Sequence, residues 1–108
     1  MMARSVFHTN TSFSKEKINS IANKILMEDG YQKIDRNGET VWKKGTGALT
    51  AMHYIKLEYF PNDFVISGWV QIGIGSAGFD DMDLTGFTGA IPKKSTFKTI
   101  QKIRKEIM

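Results

Sequence analysis

Gly73-Ile74-Gly75-Ser76-Ala77-Gly78 has the spacing of a dinucleotide-binding fingerprint and follows a strand-like run. That chemistry needs a helix to begin inside the motif, so that its free N–H groups meet a pyrophosphate. Here Phe79-Asp80-Asp81-Met82-Asp83 follows without a helical stripe, so the motif reads as a glycine-rich loop between strands and no cofactor is expected. Asp80, Asp81 and Asp83 could offer oxygen to a hard cation. A helix–loop–helix calcium site, however, needs about twelve ordered positions ending in a bidentate Glu. These carboxylates read as solvated turn residues, and no metal is expected. His8 and His53 are the only histidines, and neither lies one helical turn from another ligand. Ser76 comes near a nucleophile elbow, but Ile74 stands where its first glycine belongs. With no nucleophile–base pair in view, catalysis is not expected, and His53 reads as a structural histidine.

The richest chemical pattern is aromatic and basic. Tyr31, Lys33, Trp42, Lys44, Tyr54, Lys56 and Trp69 recur at spacings that strand periodicity places on one side of a sheet. Aromatic rings flanked by lysines are how open sheets hold single-stranded nucleic acid: bases stack and ammonium groups meet phosphates. The same pattern also arises when rings and lysine stems cover one another in ordinary cross-strand pairs, or when a protein partner or second copy covers the face. The expected face carries Glu58 and no arginine, the preferred fork for bases and phosphates, so ordinary cross-strand pairing ranks first, a protein partner second and nucleic acid third.

The elements that must position this face are legible from local signals. Ser14–Asp29 reads as a helix: Ser14 is an N-cap, Phe13 and Ile18 have staple spacing, and Ile18, Ile21, Ala22, Ile25 and Leu26 form a stripe. Gly30 closes it. Asn37-Gly38 predicts a tight hairpin joining Tyr31–Arg36 to Glu39–Lys44. Ala51–Phe60 and Phe64–Ile74 read as a second hairpin around Asn62-Asp63, with Met82–Ala90 a further strand and Ala3–Thr9 an N-terminal one. Pro92 suits the first turn of a closing helix, in which Phe97, Ile100, Ile103 and Ile107 make an apolar stripe between lysines. Keeping Glu58 and Lys56 off the apolar side sets the register of the second hairpin, and the expected core face is then Ile34, Val41, Ile55, Leu57, Ile66, Val70 and Ile72. Tyr31, Lys33, Trp42, Lys44, Tyr54, Lys56, Glu58, Ser67, Trp69 and Gln71 then face away.

The order is β-α-β-β-β-β-β-α: one α+β domain over residues 1–108, with a single curved antiparallel sheet of five or six strands and two helices. By analogy this is the order of half of the TATA-binding-protein fold, which carries no function with it. A chain of 108 residues that is 41% hydrophobic can bury a core unaided, and with no cysteine it does so without disulfides or thiolate sites. The net charge of +4 is concentrated at the C-terminus, where Ile91–Met108 holds six basic residues against Glu106. No stretch has the length of a membrane span and the first residues lack a signal peptide's apolar region, so a soluble cytoplasmic protein is expected.

Three stretches resemble a known group. Gly38–Gly45, Tyr54–Tyr59 and Leu84–Lys94 resemble a soluble domain of small uncharacterised proteins of Gram-positive bacteria, often joined there to a zinc ribbon or a membrane segment. The resemblance implies no catalytic residue, and this sequence has neither the cysteines for the ribbon nor the apolar span. The combined expectation is a non-enzymatic binding module acting through the outer sheet face on a protein or a second copy. The alternative is weak binding of single-stranded nucleic acid.

Overall fold

The structure is a computed structural model that describes residues 4–45, 51–71, 82–85 and 90–108. Its elements are β1 (Ser5–Asn10), α1 (Lys15–Glu28), β2 (Gln32–Arg36), β3 (Glu39–Lys44), β4 (Met52–Phe60), β5 (Asp63–Gln71) and α2 (Ala90–Ile107). The five strands form one antiparallel sheet in the order β1-β5-β4-β3-β2, an α+β fold as expected. The chain's first strand therefore pairs with its last, and α1 carries the backbone from one sheet edge to the other.

Local chemistry explains the element ends. The Ser14 hydroxyl accepts from the Lys17 N–H at 3.2 Å, removing one orphan donor of the first turn of α1. At the other end Gly30 takes φ +92°, which lets the Tyr31 N–H reach the Leu26 carbonyl at 2.9 Å. Asn37 and Gly38 both have positive φ, as a two-residue hairpin demands. The sixth strand expected over Met82–Ala90 is, among the described residues, a single bridge in which Met82 and Val70 exchange two hydrogen bonds. Ala90 instead begins α2. Ile72 and the glycine motif Gly73–Gly78 lie outside the described residues, as do Asp80 and Asp81.

Two expectations about register are corrected. The second hairpin turns at Pro61-Asn62 rather than Asn62-Asp63, so Tyr59 faces Phe64 and Leu57 faces Ile66. Proline suits the first turn position and Asn62, at φ +59°, supplies the left-handed second. The displacement is two residues, so the faces of β4 and β5 keep the expected phase. The first hairpin does not. Its internal register is as expected, Ile34 opposite Val41 and Lys33 opposite Trp42, but Trp42 pairs with Ile55 in β4. Trp42, Tyr31, Lys33 and Lys44 thus lie on the helix side, and Ile34 and Val41 on the other.

The main core lies between the sheet and the helices. Ile18, Ala22 and Leu26 of α1 and Ile100, Ile103 and Ile107 of α2 pack with Tyr31, Trp42, Ile55, Phe64 and Ile66. Ile21 and Ile25, the expected centre of the α1 stripe, are only half-buried, because they border an open groove between the helices beside Lys102 and Lys105. Contact between α2 and the sheet is close at one point: a Cβ on Gly68 would stand 2.5 Å from Ile100 Cδ1 and 3.1 Å from Leu84 Cδ1.

Gly68→Val should therefore destabilise the domain by about 1–3 kcal/mol through overpacking. Leu26→Ala should cost about 2–5 kcal/mol, with Ile25→Ala clearly less because that site is part solvent already. Urea denaturation of the three variants checks the order. An Ile25→Ala loss equal to that of Leu26→Ala would contradict this placement of α1.

Candidate functional site

The seven residues expected on one face divide between two. On the outer face, away from both helices, Tyr54 and Trp69 are direct cross-strand neighbours and stack, with ring centroids 5.4 Å apart and planes 14° from parallel. They form a small second apolar cluster with Val41, flanked by Ile34 and Met52. The stack continues at both ends with cations: the Arg4 guanidinium lies 3.8 Å from the Trp69 ring centre and that of Arg36 lies 4.2 Å from Tyr54. An Arg–Trp–Tyr–Arg row thus crosses the open side of the sheet. Arginine, not expected on this face, lies over both of its rings.

Glu39 organises the row. Arg4 donates to both of its carboxylate oxygens, at 2.9 and 2.7 Å, and Lys56 donates at 2.9 Å. Those hydrogen bonds, Arg4's first, hold the Glu39 carboxyl at about 2. Beneath Arg4, Trp69 is 0% exposed, and its indole N–H is a buried donor without a hydrogen-bond partner. Neither Arg4 nor Glu39 carried a signal in the chain. Arg36 and Glu39 merely flank a turn, and Arg4 reaches Glu39 across the fold.

On the helix side Tyr31, Trp42, Lys33 and Lys44 join a different environment. Trp42 belongs to the main core, and Lys33 stands at its rim beside Asn19 and Thr40. The Tyr31 ring meets His53 edge-on at 6.3 Å, and the Lys44 ammonium lies 5.6 Å from the ring centre. Burial pushes the Tyr31 hydroxyl up to about 12, with the Thr96 and Thr99 side chains beside it. His53 Nδ1 and the buried Thr96 hydroxyl are hydrogen-bonded at 2.8 Å, and Thr96 also donates to the Pro92 carbonyl. Thr99 donates to Asp29 at 2.6 Å, and Lys102 reaches the same carboxylate at 2.9 Å. Burial opposes ionisation of Asp29, but these two partners outweigh it and keep its carboxyl below the usual range. This network ties α2 to the end of α1 and to β4, which is the structural use of His53. His8, by contrast, makes an exposed pair with Asp63 at 2.9 Å.

Asp83, the one described member of the aspartate group, accepts from the backbone and hydroxyl of Thr85, so its carboxylate closes its own turn. No cluster of three or more metal-ligating side chains occurs among the described residues. No helix among them is long and apolar enough to cross a membrane. No protein family, curated protein or solved structure matches the chain. The resemblance in Gly38–Gly45, Tyr54–Tyr59 and Leu84–Lys94 thus rests on those residues alone.

The two networks predict a stepped loss of stability in acid. Burial first, then the charge of Lys44, lowers the His53 pKa below the usual 6.5. Because the unfolded chain then binds the extra proton more readily, stability should fall as pH drops below about 6.5. The Glu39 contribution is complete above its ordinary 4.5 and should disappear as pH falls toward 2. Urea midpoints across pH check this: His53→Gln should flatten the upper step and Glu39→Gln the lower. A wild-type midpoint constant from pH 7 to 3 would contradict both.

Proposed function

We propose that the chain is a non-enzymatic interaction module, soluble and cytoplasmic, whose outer sheet face meets a protein surface, a second copy being the first partner to test. The observation that supports this is the apolar cluster of Val41, Tyr54 and Trp69 on the side opposite both helices. A two-layer fold needs one core, between its layers. That second cluster is already buried within the chain, so what a partner would cover is the arginines over it and the apolar residues at its rim. Val6, 52% exposed on the neighbouring edge strand, and the partly buried Ile34 and Met52 extend that surface outward.

The nucleic-acid alternative loses its main support. Bases stack on open ring faces, whereas Tyr54 and Trp69 are buried against each other under Arg4 and Arg36. Trp42 and Tyr31 belong to the other side of the sheet.

Light scattering over a concentration series should show reversible association that Val6→Asp and Ile34→Asp weaken at least tenfold, a typical effect of a charge placed in an interface centre. Mixed-sequence single strands should leave tryptophan emission unchanged. A wild-type chain that stays monomeric to millimolar concentration argues against self-association, and saturable quenching by oligonucleotides would favour the alternative.

A further inference from the structure

The Arg4 contact has the parts of a binding site whose ligand happens to be built in. An indole face stands 3.8 Å from a guanidinium carbon, and a carboxylate takes two parallel N–H donors at 2.9 and 2.7 Å. A planar cation satisfied at once by a ring face and a fork is what distinguishes guanidinium from ammonium. Both walls are held in place without Arg4. Trp69 is fixed by its stack on Tyr54 and its position in β5. Glu39 is fixed by the tight hairpin and by Lys56. Arg4 itself precedes the first residue of β1 and is not part of a strand. The walls belong to the sheet and the cation belongs to its margin.

We infer that Trp69 and Glu39 form a guanidinium-binding site on the outer face, held closed by the chain's own Arg4, and that the partner side chain it takes is an arginine of a protein. This rests on the reading of the outer face as a protein-binding surface and names the chemistry recognised there. The carboxylate is 24% exposed at the side chain, so the site is open to solvent at its Glu39 wall. Attachment sets the strength of the internal competitor: Arg4 adjoins Ser5, which is held in the ladder opposite Gly68, so it acts at an effective concentration above the millimolar level of a short flexible linker. An incoming arginine must exceed that, so its apparent affinity falls by the fraction of time the site is closed. The site is therefore weak while Arg4 is seated and gains affinity when the segment bearing Arg4 is drawn away.

Chemical rescue tests this on the full chain. Arg4→Ala should lower the melting temperature, and methylguanidinium at tens of millimolar should restore it. A probe at about ten times its Kd multiplies the folding constant roughly elevenfold, which is a rise of about 5 °C or more for a domain of this size. At such concentrations the linear denaturing effect of guanidinium is a small fraction of its effect at molar levels. Methylammonium should not rescue, wild type should not respond, and Arg4→Ala with Glu39→Gln should be insensitive. If Arg4→Ala does not fold, Arg4→Gln serves the same comparison. A folded Arg4 variant that gains no stability from methylguanidinium, or gains equally from methylammonium, overturns the inference. That failure leaves self-association through Val6 and Ile34 standing, while rescue in a chain that never associates would retain the site and remove its partner face.

Discussion

The seating of α2 on β5 at Gly68 decides what each side of the sheet can be. With no side chain at Gly68, Ile100 settles directly onto the strand, and Ile103 and Ile107 follow along the same line into full burial. Interiors are packed to crystal density, so a side chain added at Gly68 would have to move the Ile100 and Leu84 methyl ends. Beside α2 packs α1, joined to it through Asp29, Thr99 and Lys102. Both helices then lie on one face, and among the described residues the other carries its own buried cluster of Val41, Tyr54 and Trp69.

That face is unusual in its materials. Most two-layer sheets present alternating polar residues to water on the uncovered face. Here the middle of that face is aromatic, and the Arg4 and Arg36 guanidinium carbons stand 3.8 and 4.2 Å from the ring centres, where a weakly hydrated planar cation loses little by leaving water. Glu39 holds one of the two arginines and a lysine on a single carboxylate. The outer face is consequently neither a bare apolar patch nor a solvated polar one. It is a pair of stacked rings beneath two cations.

The chain discloses its elements more readily than its faces. Ser14, Gly30 and Asn37-Gly38 mark element ends because each satisfies a backbone need within a few residues. The phase of the first hairpin was not open to that kind of reading. Val41 and Trp42 are adjacent and both apolar, and each phase carries charged neighbours with it, Lys33 and Lys44 beside Trp42 or Arg36, Glu39 and Lys43 beside Val41, so only the pairing of Trp42 with Ile55 decides. The candidate face failed as a unit for this reason: Tyr54, Lys56 and Trp69 stayed together, and Tyr31, Lys33, Trp42 and Lys44 went to the other side. Arg4 and Glu39 were invisible because contacts between distant positions leave no periodic trace.

The strand order has one further consequence, for the time course of folding. Ser5 pairs with Gly68 and Asn10 with Asp63, so β1 leaves the ribosome long before the strand it must join exists. Pairings this remote in the chain are slow to form, since the loop must close before the contact rewards it. The hairpins β2–β3 and β4–β5 have no such wait. Until β1 arrives, β5 is an unpaired edge, able to recruit a strand from a neighbouring nascent chain. Arg104 of α2, which donates to Thr9 and to the His8 carbonyl, then acts as the clasp that holds the late-arriving strand against the finished sheet.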